Sequence, residues 1–517
     1  MNLLRALLAA VCLLVAATHT SLAAGQRPNI IVILADDMGF SDLGCYGGEI
    51  RTPNLDRLAT EGMRFSRFYN CALCGPSRAA LMTGLHPHQA GITRWTGLLN
   101  NRCVTAFELL KGAGYATCAV GRLDMVTADN WHEPAKIARY VDRFWGSTGH
   151  QGPGNYFYNV GNTAFFRDGE KITYPAGEYK TDLLTDFAAQ FIRDRDHSRP
   201  FFLYMAHYAP HWPLHAKEED IAKYRALYRQ LGWDEARHER HQRLIDLGMF
   251  ASDVKLAPRD ARAAPWRKAE HRDWEAERMA TYAAQIDALD QSVGRMLAAL
   301  RDSGTADNTL IFFLSDNGAS DMAVGQLDKP GRTWRSDGTP TRVGNRHDIQ
   351  PGPGENFVTA GPAWSNVSNA PFRQHKNCNH EGGIASPLVA WWPGVIKATG
   401  SISAELSHIT DVTATCLDVA GVAYPSEFDN RRISPLAGRS LLPVLKGNQR
   451  EGHPMLAWAT SDSRAIRIGD WKLVSLPGKP WELYDLSRDR TELNNLASHH
   501  PERVNEMAKR FEEWRAK

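Results

Sequence analysis

Asn29-Ile30-Ile31-Val32-Ile33-Leu34-Ala35 runs directly into Asp36-Asp37-Met38-Gly39. The run is continuous and rich in β-branched residues, with no polar alternation. That is the pattern of a strand buried on both faces, as in a parallel sheet covered by helices. In open α/β sheets ligands collect at the carboxyl ends of the strands. Two adjacent carboxylates at such an end repel each other unless a cation lies between them. A solvated turn with a helix N-cap accounts for one aspartate better than for two.

The same grammar repeats outward from this strand. Ala116–Val120 reads as a buried strand ending at Gly121-Arg122-Leu123-Asp124. Phe201–Ala206 delivers His207 and then Ala209-Pro210-His211, and Leu310–Leu314 ends at Ser315-Asp316-Asn317-Gly318. Phe65–Tyr69 and Leu388–Trp392 are further candidate strands. Helices are predicted between them: from Thr52-Pro53 to Glu61, Ala106–Ala113 opened by the capping box Thr105-x-x-Glu108, Asp182–Asp194, Arg278–Arg301, and Ile409–Ala420 closed by Gly421. The fold class is therefore α/β, a mostly parallel sheet with helices on both faces. Residues 150–180 read as irregular or as an edge hairpin, 216–275 as a charged, exposed insertion, and 321–370 as a long loop that roofs the site.

Past Pro435 the pattern shifts to short alternating strands at Ala465–Ile468, Lys472–Ser475 and Glu482–Tyr484. A terminal amphipathic helix, Pro501–Lys517, follows. The expected organisation is a leader over 1–24, a catalytic domain over 25–435 and a small α+β subdomain over 436–517. Arg5, the apolar run Leu7–Ala17 and Ser21-Leu22-Ala23 have the layout of a cleaved signal peptide. No later stretch reaches membrane-spanning length, so the expectation is a periplasmic or secreted protein without a stable membrane anchor. Lys+Arg number 60 against 58 Asp+Glu, which leaves no global field for nucleic acid. Any anion site must be local. Seven cysteines follow the leader, and their spacing neither dictates disulfide pairs nor matches a structural zinc site.

Cys74-Gly75-Pro76-Ser77-Arg78 leads into Ala79-Ala80-Leu81-Met82-Thr83-Gly84. Pro76 predicts an extended turn at Cys74, and Ser77–Thr83 a short helix stopped by Gly84. A cysteine before a helix N-terminus, with arginine one turn in, sits in positive potential and suits a nucleophile for an anionic substrate. Alone, the stretch reads more readily as a structural cysteine in a turn. Its longer pattern, C-x-P-S-R-x-x-x-x-T-G, resembles the signature of the type I sulfatases, the arylsulfatase branch of the alkaline phosphatase superfamily. Asp36-Asp37, Ala209-Pro210-His211, Asp316-Asn317-Gly318, Lys376 with Glu381-Gly382-Gly383, and Glu482-Leu483-Tyr484-Asp485-Leu486 occur in the family's order over nearly the whole mature chain.

That resemblance implies an alkaline-phosphatase-like fold and hydrolysis of a sulfate monoester, aryl or carbohydrate, to an alcohol plus sulfate. It implies that a formylglycine-generating or other sulfatase-maturing enzyme oxidises Cys74 to formylglycine, whose hydrate attacks sulfur. It implies one Ca²⁺ per chain, held by Asp36, Asp37, Asp316, Asn317 and the modified residue 74, with Asp316 as base for the first attack. Four hard oxygen donors without His or Cys favour Ca²⁺ over zinc, with Mg²⁺ the weaker candidate. Arg78 would hold the formylglycine, His211 would donate to the leaving oxygen, and Lys376 would contact sulfate. One departure stands out: the family's Gly-Lys-x-His is here Gly121-Arg122-Leu123-Asp124. Arg122 keeps the charge with a different geometry, and Asp124 can still accept a proton. His132 is a further candidate for that proton. A phosphatase or phosphonate monoester hydrolase of the same superfamily, or a non-catalytic binder of sulfated glycans, is the alternative reading.

Overall fold

The computed structural model describes residues 27–94, 97–124, 140–147, 154–159, 164–326 and 341–516. The leader expected at 1–24 lies outside the described residues. A ten-stranded sheet forms the centre. From one edge to the other its strands are Ser401–Ser403, Met63–Phe65, Leu388–Trp391, Thr309–Ser315, Asn29–Asp36, Phe201–Pro210, Ala116–Arg122, Arg143–Ser147, Phe165–Arg167 and Glu170–Ile172. The five strands from Thr309–Ser315 to Arg143–Ser147 are parallel. Leu388–Trp391 runs antiparallel to both of its neighbours, and the far edge is the expected hairpin.

Asn29–Asp36 is central, and its side chains divide between two cores. Ile31, Ile33 and Ala35 join one with Phe187, Met279 and Leu289; Ile30, Val32 and Leu34 join the other with Leu81, Phe107 and Leu417. Helices Lys180–Asp194 and Arg272–Asp302 thus cover one face. Helices Cys74–Thr83, Ala106–Gly112 and Thr410–Ala420 cover the other. This double burial is why the strand carries no polar alternation. The capping box at Thr105 and Glu108 forms in both directions.

Because the strands are parallel, their carboxyl ends lie along one rim. The register pairs Asp36 with Pro210 and Ala35 with Ser315. This brings Asp36-Asp37, His211, Asp316-Asn317 and Arg122–Asp124 to the same edge. Gly121 makes the approach possible: a Cβ there would sit 1.8 Å from Ala206 O, at φ +97°.

Several expectations are corrected. Phe65–Tyr69 is two short strands, Met63–Phe65 and Phe68–Tyr69, and only the first joins the central sheet. Thr52 precedes the helix Pro53–Glu61, but its hydroxyl bonds Asp56 and the Gly44 amide rather than capping the helix. The segment 216–275 is not an exposed insertion. Its helical stretch Arg225–Asp246, broken at Gly232, buries Tyr228, Trp233 and Leu244, and Arg240 is fully buried between Asp42 and Glu49. The region 321–370 contains the helix Gly361–Ser368.

A four-stranded antiparallel sheet, Leu456–Thr460, Ser463–Ile468, Trp471–Ser475 and Glu482–Asp485, packs on the helix Pro501–Arg515 around Ile466, Leu473, Leu483 and Phe511. Its first strand was not expected. All seven described cysteines are free thiols. Among the described residues no helix is long and apolar enough to cross a membrane.

Candidate active site

Cys74 is the first residue of the helix Cys74–Thr83, not part of a turn before it, and Gly84 ends that helix at φ +68°. Ser77 Oγ accepts the Cys71 amide, which closes the entry to the helix. Arg78, one turn on, is fully buried. It donates to Arg122 O at 2.6 Å and to Asp316 Oδ2 at 3.0 Å, and lies 3.3 Å from Asp36 Oδ2. Positive charge does surround Cys74, but burial outweighs Lys376 and Arg122 and pushes its thiol up to about 11. As a cysteine, residue 74 is protonated at neutral pH and is a poor nucleophile.

Asp37 takes φ +66°, a left-handed conformation that aspartate tolerates better than most residues. Its amide donates to Asp316 Oδ1. Asp42, hydrogen-bonded by the Gly39 amide, Tyr282 and Arg240, clamps the turn that follows. Asp37 Oδ1 accepts from Lys376 Nζ at 2.6 Å and Asn317 Nδ2 at 2.7 Å, and His211 Nε2 lies 3.5 Å from Oδ2. His211 Nδ1 is 2.7 Å from Trp212 O, a pure acceptor, so Nδ1 carries the hydrogen. Burial holds this imidazole below its ordinary pKa, which leaves Nε2 as the free lone pair.

The departure at 122–124 forms a coupled unit. Arg122 Nη1 is 2.5 Å from Asp36 Oδ2; Nη2 is 2.5 Å from Asp124 Oδ2 and 3.4 Å from Cys74 Sγ. One guanidinium therefore joins Asp36, Asp124 and residue 74. His132 lies outside the described residues.

The donor set can be tested for a cation. Asp36 Oδ1, Asp37 Oδ2 and Asn317 Oδ1 are buried acceptors with no hydrogen-bond donor among the described residues. Donor atoms of Asp36, Cys74 and Asp316 lie within 4.8 Å of one another, as do those of Asp36, Asp37 and His211. Burial and the charge of Asp36 push Asp316 up to about 8, while neighbouring cations, Arg122 foremost, hold Asp36 low against the effect of burial. Unpartnered oxygens on three of the four residues, beside a carboxyl whose pKa burial and Asp36 raise, fit a hard divalent cation.

Apart from His132, the ten positions singled out from the sequence as catalytic or metal-binding thus lie together at one site. Met322, Thr359 and Ala360, from the long region 321–370, stand beside Asp37, Trp212 and Tyr282 in the adjoining pocket. Residues 327–340 of that region lie outside the described residues. Sequence reasoning missed Asp42, Tyr282 and Asn369. Asn369 bonds both the amide and the carbonyl of Ala319 and so holds the turn after Asn317. Only Asp42, five residues after Asp37, had a signal in the sequence.

Residues 28–422 match the family model "Sulfatase", and residues 374–517 match "N-sulphoglucosamine sulphohydrolase, C-terminal". The chain is 32% identical to an uncharacterized sulfatase of Schizosaccharomyces pombe over 94% of this chain and 93% of the relative. It is 31% identical to an arylsulfatase of Klebsiella aerogenes over 82% and 93%. It is 28% identical to an N-acetylglucosamine-6-O-sulfatase of Bacteroides thetaiotaomicron over 91% and 83%. The solved structure of Ps i-CgsB with k-i-k-neocarrahexaose superposes with a TM-score of 0.67 at 26% identity, covering 95% of this chain and 93% of that one. The chain belongs to the sulfatase family, as a type I sulfatase of the alkaline phosphatase superfamily, and is a sulfuric ester hydrolase.

Proposed function

We propose that this protein hydrolyses a carbohydrate sulfate with formylglycine at position 74 and one Ca²⁺ held by Asp36, Asp37, Asp316 and Asn317. The observation that carries this reading is the set of unpartnered oxygens on Asp36, Asp37 and Asn317 next to Cys74. The raised thiol pKa supports the modification, since an aldehyde hydrate supplies a nucleophile where a buried thiol does not. A bound Ca²⁺ would draw charge from the sulfate and lower the pKa of the attacking hydroxyl.

The chain's own groups divide the remaining work. Lys376 and Arg122 offset the charge of the sulfate, and Arg78 fixes Asp316 and Asp36 as a rigid pair. His211 sheds its proton to the leaving oxygen from Nε2, which requires the imidazolium; the nearby Asp37 carboxylate and an arriving sulfate both favour that form. Asp124 takes the proton whose removal releases sulfate, and Arg122, 2.5 Å away, fixes its carboxyl beside residue 74.

A sugar as the alcohol is supported by relatives named for N-acetylglucosamine-6-O-sulfate and N-acetylgalactosamine-6-sulfate esters. Export to the periplasm or beyond, and maturation by a formylglycine-generating or other sulfatase-maturing enzyme, complete the proposal. A screen of sulfated mono- and oligosaccharides beside 4-nitrophenyl sulfate tests it. Sulfate release from at least one sugar sulfate is expected, and turnover of the aryl ester alone would count against the carbohydrate assignment. The replacement of the family's Lys and His by Arg122 and Asp124 keeps one second reading in play, a glycan binder without turnover. Such a protein would bind sulfated sugars and release no sulfate.

A further inference from the structure

Thr359 walls the pocket beside Asp37, and its hydrogen-bond partners line a second, larger depression. Arg278 donates to Thr359 O through Nε at 2.9 Å and Nη2 at 2.7 Å, and Asn345 Nδ2 donates to Thr359 Oγ1 at 2.8 Å. Both belong to a cavity of about 630 Å³, as do Pro362 and Ala363 just along the chain from Ala360. This cavity shares His271, Trp274 and His347 with a neighbour of about 610 Å³. Through these shared residues the two make one trough, and Arg278 and Asn345 at its near end bond Thr359 in the wall of the pocket adjoining Asp37.

Two segments far apart in sequence build it. His271, at φ +51°, stacks on His347 with ring centroids 4.0 Å apart and planes 13° apart. This joins the start of the helix Arg272–Asp302 to the loop 341–348. A residue outside the usual backbone regions needs such support from its surroundings. Trp266 and Trp274 give the trough half-buried aromatic surface. Arg229 and Arg346 stand at its edge, paired with Asp273 and Asp348. Lys268 and Arg272 also line it. They are exposed and have no acidic partner among the described residues.

Indole faces pack against the apolar faces of pyranose rings, and unpaired Lys and Arg offer charge-assisted hydrogen bonds to sulfate groups. With 60 basic against 58 acidic residues, the chain lacks the broad positive field that would direct this trough to nucleic acid. We propose that the trough binds additional sulfated sugar residues of an oligosaccharide whose target sulfate occupies the catalytic pocket. The inference rests on the carbohydrate-sulfate reading above and makes the substrate a chain rather than a single sugar.

The test uses Lys268→Ala/Arg272→Ala, a double change at exposed positions that leaves the fold intact. Calorimetry measures hexasaccharides and disaccharides of heparin, chondroitin sulfate and ι-carrageenan on wild type and variant. At least one hexasaccharide is expected to bind wild type about tenfold tighter than its disaccharide, the worth of one or two charge-assisted contacts. The variant loses that gain and keeps its kcat/KM for 4-nitrophenyl sulfate. A gain that survives in the variant, or no dependence on chain length for any of the three, overturns the proposal. If the length gain is lost in the variant but wild type turns over neither the aryl ester nor any of these sugars, the trough stands and the catalytic reading fails.

Discussion

Lys472 Nζ lies 2.8 Å from Glu381 Oε1 and 2.8 Å from Glu492 Oε1, and all three side chains are fully buried. Lys472 sits on the C-terminal sheet, while Glu381 opens the short helix just after the loop that carries Lys376. Tyr69 OH donates to the other oxygen of Glu381. Asn379 and Arg373, on either side of Lys376, bond Ser463 and the carbonyl of Glu492. The small subdomain therefore clamps the segment that brings Lys376 to Asp37.

Lys472→Met removes the cation between two buried carboxylates. Breaking such a pair from one side costs about 3–5 kcal/mol. Denaturant unfolding should show a loss of that order. Any folded fraction is expected to have a raised KM for 4-nitrophenyl sulfate, because Lys376 is no longer held against Asp37. A variant with wild-type stability would contradict the assigned role of this ion pair.

Glu482, also in the subdomain, gives a pH signature. Burial works against its charge, yet hydrogen bonds from His380 and Tyr484 and the nearby Arg373 hold its pKa down to about 2. Because the folded pKa is depressed, its contribution is complete above the unfolded value near 4.5 and is lost as pH falls toward about 2. Glu482→Gln should therefore cost on the order of 1 kcal/mol at pH 7, since its side chain is still 21% exposed. Melting curves of wild type and variant should converge as the pH drops through that window. A gap that stays constant to pH 2 would sink this account.

The catalytic rim was legible in the sequence because its signals are local. A carboxylate pair closing an apolar run, and Asp316-Asn317 closing another, mark strand ends in any doubly covered sheet. The clamp was not legible. Lys472 and Glu381 are 91 residues apart, and each alone reads as a surface charge. The same reason misplaced 216–275. Arg240 looks solvated until Asp42 and Glu49, nearly two hundred residues earlier, close around it. The strand Leu456–Thr460 was missed because Leu-Ala-Trp-Ala-Thr lacks a clean alternation. The long strand Phe201–Pro210 was cut short at His207 because a buried histidine reads as a loop residue.

Chelation tests the cation. Treatment with EDTA should abolish turnover, and added Ca²⁺ should restore it. Asp316→Ala should lower kcat/KM by about a thousandfold or more even with excess Ca²⁺. Full activity in the chelated protein would remove these residues from a metal site.

Asp124→Asn isolates the departure from the family pattern. The amide is nearly isosteric but cannot take a proton, so the first step should run and the second stall. Stopped-flow with 4-nitrophenyl sulfate is expected to show a burst of about one equivalent per site, followed by a steady rate lowered about 10²–10⁴-fold. An unchanged steady rate without a burst would make Asp124 a bystander and return attention to His132.

Every catalytic role assigned above depends on the chemical identity of residue 74, which mass spectrometry of the peptide that contains it reads out. Protein taken from a host with a sulfatase-maturing enzyme should yield a peptide about 18 Da lighter than the cysteine form, as replacement of a thiol by an aldehyde requires. The converted fraction should track kcat for 4-nitrophenyl sulfate. Fully active protein whose peptide carries an unmodified Cys74 would contradict the account.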